Sequence, residues 1–99
     1  MSAKANCKPQ DWSVYILRCA DDSLYTGISR DVLGRIAKHN HGAGAKYTRG
    51  RGPVELVYLE LVGSRNAALR REYTIKQLPR SSKFVLIDAY YDLSDWTAE

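Results

Sequence analysis

The chain lacks the features that would identify a disulfide-rich, zinc-stabilised or membrane protein. Cysteine occurs twice, at Cys7 and Cys19, with no second pair and no nearby histidine. Neither a zinc knuckle nor a disulfide framework is therefore indicated, and both cysteines are expected to be free thiols. Wholly apolar runs are short, such as residues 84–87, and residues 1–10 lack the apolar stretch of a signal peptide. We expect a cytoplasmic protein with no membrane partner.

Length and charge narrow the class further. A chain of 99 residues fits one domain with a modest core, because a chain of this size buries only about 60 to 65% of its unfolded surface. No Lys or Arg follows Lys83, so all 15 basic residues but only seven of the 11 acidic ones lie in residues 1–87, which carry +8. Such a surface attracts polyanions through phosphate contacts that release counterions. Nucleic acid is the leading partner; a high-pI protein without one is the alternative.

Local patterns predict three strands and three helices. The expected strands are residues 12–19, 24–28 and 54–62, with an Asp-rich turn between the first two. The expected helices run from Ser29 or Asp31 to about His41, from Asn66 to Leu78, and from Ser81 or Ser82 through "KFVLIDAYY". This order predicts an α+β fold, a small three-stranded antiparallel sheet flanked by helices. The expected division is a loose segment at residues 1–11, a domain at residues 12–90 and an acidic tail at residues 91–99.

An acidic residue of the second predicted helix faces the core. At 100° per residue, Ala68, Leu69 and Ile75 form one stripe, and Glu72 lies near its centre. Burying this carboxylate unpaired would cost several kcal/mol, so it must be protonated, paired or used to hold a cation. An ion pair with Lys76, one turn on, is the alternative that involves no chemistry.

The first predicted helix has an apolar stripe with a polar pair at its edge. The stripe is formed by Val32, Leu33, Ile36 and Asn40. Arg35 and His39 point together from its edge, where Arg presents planar donors to phosphate oxygens and His can donate to phosphate or move a proton. Arg35 and His39 either frame a shallow binding site or are a pair of side chains exposed to solvent at the edge of the stripe. The triplet "HNH" at residues 39–41 has the letters that name a class of nucleases. Three adjacent residues at a helix end cannot assemble the dispersed metal site of that class.

Two tyrosines and a glycine-rich loop complete the candidates. Tyr15 and Tyr25 lie on the same face of the sheet only if the numbers of two directly paired residues in the hairpin add up to an even number. A connecting loop of three or five residues gives such a register. The alternative is simple packing, with the hydroxyls at the rim. The segment "HGAGAKYTRGRGP", residues 41–53, holds four glycines and three cations without a hydrophobic period, so we expect a mobile basic loop.

Taken in order, these segments resemble the GIY-YIG nuclease family. "SVY" at residues 13–15 corresponds to the first half-motif and "YTG" at residues 25–27 to the second. "GRIAKHN" is similar to the family's helix with its Arg and His, and Glu72 in "LRREYTIK" lies where the family keeps its metal-binding glutamate. "GAGAKYTRGRGPVELVY" further resembles the small stand-alone bacterial YhbQ-like branch and the nuclease subunits of structure-selective resolvases. Ser13, Val14 and Thr26 depart from the motif, whereas both tyrosines remain.

The resemblance implies a metal-dependent endonuclease that hydrolyses phosphodiester bonds in nucleic acid, with DNA favoured over RNA. The implied catalytic residues are Tyr15, Tyr25, Arg35, His39 and Glu72. Glu72 would hold Mg²⁺ or Mn²⁺, Arg35 would brace the scissile phosphate, and the tyrosines would position or deprotonate the attacking water. His39 would accept a proton or donate to phosphate.

The expected nucleic-acid contacts lie mainly on the glycine-rich loop. They are Lys46, Tyr47, Arg49 and Arg51, together with Lys76. The alternative function is a catalytically weak nucleic-acid-binding module of the same fold that acts with a protein partner.

Overall fold

The order of elements is the α+β order expected from the sequence. The structure, a computed structural model, describes the backbone of residues 11–41 and 51–97 and the side chains of residues 11–41 and 51–90. The elements are β1 (Trp12–Arg18), β2 (Leu24–Ser29), α1 (Val32–Asn40), β3 (Glu55–Gly63), α2 (Arg65–Gln77) and α3 (Arg80–Thr97). In these segments no helix combines the length and the apolar character needed to cross a membrane.

The sheet is antiparallel, with β1 between β2 and β3. In the hairpin, β1 pairs with β2 from Ser13↔Ser29 to Arg18↔Leu24, which leaves a five-residue connection. Tyr15 therefore lies opposite Gly27, and Tyr25 lies opposite Leu17. Because side chains alternate along a strand, this even pairing sum puts both tyrosines on one face.

Helices cover both faces of the central strand. Val14 and Ile16 pack with Ala68 and Ile75 of α2 and with Ile87 of α3. On the other face, the cluster is formed by Tyr15, Leu17, Cys19 and Val54, with Val32 and Ile36 of α1 against it. Residues 14 to 17 are all fully buried. Burial on both faces explains why the middle of β1 is a continuous apolar run rather than an alternating one.

Helix boundaries differ from expectation at two places. The cap of α2 is Ser64 rather than Asn66, because the Ser64 hydroxyl accepts a hydrogen bond from the Ala67 N–H at 3.1 Å. Helix α3 begins at Arg80 and continues to Thr97, into the segment expected to be an acidic tail. No Gly or Pro occurs between these two residues to end the helix earlier. For α1, Asp31 is the cap of the two candidates, and its carboxylate accepts from the Gly34 N–H at 3.1 Å.

Candidate active site

The inner face of α1 is not the one predicted. Its members, spaced i, i+3, i+4 and i+7, are Val32, Arg35, Ile36 and His39. Leu33, expected in the apolar stripe, is 77% exposed, whereas His39 is only 2% exposed. Val32 and Ile36 of the predicted stripe do pack inward. The inward placement of Leu33 and the solvated-edge alternative were wrong, because α1 turns its Arg and His toward the sheet face that carries the tyrosines.

Asn40 also has a different role from that expected in the apolar stripe. It is largely exposed, and its amide joins the end of α1 to the start of β3. Its Oδ1 accepts from the Val54 N–H at 2.7 Å, and its Nδ2 donates to the Val54 carbonyl oxygen at 3.4 Å. This pairing satisfies the Val54 backbone just before the strand begins.

Tyr15, Tyr25 and His39 form one aromatic cluster. The ring centroids of Tyr15 and Tyr25 are 6.3 Å apart, and that of His39 lies 5.2 Å from Tyr25 and 6.4 Å from Tyr15. The Tyr15 hydroxyl lies 3.4 Å from His39 Nε2. Tyr15 is fully buried, so its hydroxyl is not at the rim as the packing alternative required. The cluster brings together three of the five predicted catalytic side chains.

Gly27 makes room for this cluster. A Cβ at this position would lie 2.8 Å from Tyr15 Oη, 2.9 Å from Tyr15 Cζ and 3.0 Å from Tyr25 Cε2. Real Cβ atoms essentially never approach other heavy atoms so closely. The glycine of "YTG" is thus required by the packing of the two phenol rings across the hairpin.

Arg35 and Glu72 place opposite charges near the Tyr15 phenol. Burial raises the pKa of Tyr15; the hydrogen bonding and charge of the Arg35 guanidinium lower it, and the negative charge of Glu72 raises it. Burial also lowers the pKa of His39, and the Arg35 charge lowers it further, so the imidazole is neutral at pH 7. The Nε of Arg35 is buried and has no hydrogen-bond partner among the described residues.

Glu72 is partly buried, as its place on the stripe predicts. Its side chain is 18% exposed, and Oε2 lies 3.3 Å from Nζ of Lys76, whose side chain is 51% exposed. The ion pair weighed as the alternative is therefore present. Among the described side chains, those of residues 11–41 and 51–90, no group of three or more His, Cys, Asp or Glu could hold a metal ion. Glu72 is thus a single candidate ligand rather than part of a protein cage.

Only some of the predicted nucleic-acid contacts belong to the residues that the structure describes. Lys46, Tyr47 and Arg49 lie outside the described residues. Arg51 is engaged by the β1–β2 turn, where its Nη1 lies 2.6 Å from Oδ2 of Asp21.

A basic cluster at the other end of the hairpin was missed. Guanidinium groups of Arg30 and Arg65 lie beside the Trp12 ring. The sequence carried a signal for Arg65, namely its spacing from Glu72. Seven residues are close to two helical turns, so a helix that includes Arg65 has both side chains on one face.

Comparison with known proteins now settles the family. Residues 11–84 match the family described as the GIY-YIG catalytic domain. The chain belongs to the GIY-YIG family. A UPF0213 protein of Clostridium perfringens is 55% identical over 76 residues, which cover 77% of this chain and 82% of that protein. A UPF0213 protein of Natronomonas pharaonis is 53% identical over 77 residues, which cover 78% and 91% of the two chains.

A solved GIY-YIG relative confirms the fold. The solution NMR structure of a UPF0213 protein from Bacillus halodurans is 49% identical in sequence and matches with a TM-score of 0.53. The match covers 80% of this chain and 84% of that one. The predicted membership in a small stand-alone YhbQ-like branch of the family is also confirmed by these relatives.

Two departures from the GIY-YIG motif lie away from the tyrosines. Val14 pairs with Ile28, and Thr26 pairs with Ile16, so both occupy the sheet face that packs against α2 and α3. Thr26 is 4% exposed and Val14 is fully buried. Both substitutions therefore alter the core on one face, whereas Ser13, the third departure, lies on the face of Tyr15 because side chains alternate along β1.

Proposed function

We propose that this chain is a divalent-metal-dependent endonuclease that hydrolyses phosphodiester bonds in nucleic acid, with DNA favoured over RNA. The observation that carries the proposal is the buried Nε of Arg35, which lacks a hydrogen-bond partner in the described part of the chain and lies beside the aromatic cluster. A buried donor without an acceptor is costly, and a charged one more so. A phosphate oxygen of a bound substrate supplies the missing acceptor in the geometry that guanidinium groups favour.

Glu72 is the residue that would hold Mg²⁺ or Mn²⁺. Such ions are commonly bound through one or two carboxylates plus substrate phosphates and waters, so a single Glu fits this chemistry. Its Oε2 is held by Lys76, a half-exposed side chain that is free to turn toward a phosphate. When bound, the ion would neutralise charge developing on the phosphate and acidify a water ligand.

Tyr15 and His39 are suited to move the proton of the attacking water. Burial raises the pKa of Tyr15, so its phenol is protonated at neutral pH and cannot act as a base unaided. His39 is neutral, and its Nε2, 3.4 Å from the Tyr15 oxygen, can accept the phenolic proton in the tautomer that leaves Nε2 unprotonated. Arg35 favours the resulting phenolate, which can then accept a proton from water. Tyr25, in ring contact with both, would orient the water.

The predicted nucleic-acid contacts outside the aromatic cluster are proposed to bind the parts of the substrate that flank the scissile bond. Lys46, Arg49 and Lys76 would contact phosphates, and Tyr47 would stack on an unpaired base. Arg51 would do so only by exchanging its ion pair with Asp21 for a phosphate.

The test is Glu72→Gln, assayed on a panel of labelled DNA and RNA structures with Mn²⁺. We expect loss of cleavage with substrate affinity within about threefold of the unmodified chain, because the change removes a metal ligand and keeps the side-chain volume. The matched control is Glu55→Gln, which also removes one negative charge and one ion pair, that with Arg18 at 2.9 Å. It should keep full cleavage.

Two results would contradict the proposal. Unchanged cleavage by a folded Glu72→Gln protein would end the metal-binding role. Binding without cleavage of any substrate by the unmodified chain would favour the nucleic-acid-binding module that acts with a partner.

A further inference from the structure

Trp12, at the start of β1, gathers two arginines from separate elements. The Cζ of Arg30 lies 5.5 Å from the ring centroid and that of Arg65 lies 5.7 Å from it, both within the range of cation–π attraction. Arg30 directly follows β2, Arg65 is the first residue of α2, and both are exposed. The ring thus holds two like charges near each other at the surface, an arrangement that an anion stabilises.

This cluster is continuous with the candidate active site. Trp12 and Arg30 line an open depression of about 290 Å³ whose wall also includes Arg35. The remaining lining residues are Ile28, Ser29 and Asp31. The Asp31 carboxylate accepts a hydrogen bond from the Gly34 N–H and thereby caps α1, so its role in this wall is structural. The depression therefore leads from Arg35 to Trp12 and Arg30, and Arg65 lies beside it on the Trp12 ring.

The α2 helix links the same cluster to Glu72. Seven residues separate Arg65 from Glu72, a rotation about 20° short of two turns, so both lie on one face of the helix. The separation along the axis is about 10.5 Å. For a duplex whose axis lies along α2, one strand rises about 3.4 Å per nucleotide, so this distance corresponds to about three nucleotides.

We propose that Arg30 and Arg65, held in place by Trp12, form a phosphate clamp that binds the nucleic-acid backbone about three nucleotides from the scissile bond. The reference to a scissile bond rests on the proposed function, whereas the clamp itself requires only binding. Trp12 is a positioning residue: its ring orients both guanidinium groups toward the strand. Phosphate contacts of this kind fix the register of the substrate over the reacting groups without reading its sequence.

The salt dependence of binding measures the number of phosphate contacts. Affinity for labelled duplex and single-stranded DNA is determined by fluorescence anisotropy in EDTA, so that the substrate stays intact, over a range of salt concentrations. Arg65→Gln and Arg30→Gln should each lower the slope of log K against log salt by about 0.9 on duplex and about 0.7 on a single strand. Arg70→Gln is the matched control, because it removes the same charge from the same helix about 140° around from Arg65. It should leave the slope unchanged.

Trp12 is tested by two substitutions and a spectroscopic signal. Trp12→Leu should lower the slope as much as both arginine changes together, while Trp12→Phe should retain most of it, because a phenyl ring still attracts cations. Trp12 is half buried against the core, so each variant is measured at a temperature where it is folded. In a Trp96→Phe background Trp12 is the single indole, and its fluorescence should change as DNA saturates the protein.

The outcomes separate the clamp from the proposed function. Lower slopes for Arg65→Gln and Arg30→Gln than for Arg70→Gln support the clamp even if the unmodified chain cleaves nothing. Equal slopes for Arg65→Gln and Arg70→Gln overturn the clamp, even if the chain cleaves DNA in a Glu72-dependent way. An indole signal that stays constant at saturating DNA also overturns it.

Discussion

Adding one methyl group at Gly27 should damage the candidate active site more than its size suggests. The new Cβ would lie 2.8 Å from Tyr15 Oη and 3.0 Å from Tyr25 Cε2, against 3.4 Å or more for ordinary contact. Relief requires the Tyr15 ring to move by about 0.6 Å, the difference between these distances. Tyr15 is fully buried, so neighbouring groups must move with it.

The expected effects of Gly27→Ala are on both stability and rate. Overpacking of this kind costs about 1 to 3 kcal/mol. For a domain of this size, that lowers Tm by about 4 to 24 °C. A shift approaching 1 Å among reacting groups slows cleavage by up to about a hundredfold. Thermal unfolding and single-turnover cleavage, each measured on the same preparation, give the two numbers.

The control is Gly52→Ala, where the nearest atom to the new Cβ is Asn40 Oδ1 at 3.9 Å. Its Tm should change little. Combining Gly27→Ala with Tyr15→Phe removes the atom of closest approach, so the double variant should regain part of the lost stability but no cleavage. A Gly27→Ala protein with unchanged Tm and unchanged rate would refute the reasoning, since it would show that the rings do not pack as described.

The remaining predictions concern the aromatic cluster. Tyr15→Phe and Tyr25→Phe should each slow cleavage on the order of a hundredfold with DNA affinity preserved; full cleavage by the double variant would contradict the mechanism. Tyr15→Phe should also cost about 1 to 3 kcal/mol of stability, because it removes a buried hydroxyl that lies 3.4 Å from His39 Nε2. Because burial and the Arg35 charge lower the pKa of His39, the unfolded chain binds this proton more readily than the folded one. Stability should therefore be fully present above pH 6.5, the ordinary His value, and fall as pH drops through the lowered folded pKa. Urea unfolding from pH 5 to 8 should show a shallower pH slope for His39→Gln than for the unmodified chain, and an equal slope would contradict this reasoning.

Much of the fold follows from local sequence. Strand composition, the Asp-rich turn and the capping residues predicted each element within a few residues at most boundaries, because these signals act between near neighbours. The position of Glu72 on the inner face of α2 was also predictable, since helical periodicity alone fixes which side chains share a face. The resemblance to the GIY-YIG family added the roles proposed for the candidate site residues, which periodicity could not supply.

The tertiary structure decided how these residues meet. The five-residue turn set the hairpin register, and only that register puts Tyr15 and Tyr25 on one face with Gly27 beneath them. A stripe chosen by hydrophobicity placed Leu33 inward, whereas packing against the phenols turned His39 inward instead. Sequence periodicity ranks apolar residues as buried, but a buried polar side chain depends on partners that only the assembled sheet provides. The arginine pair on Trp12 has the same origin, since β1, the end of β2 and α2 become neighbours only through long-range pairing.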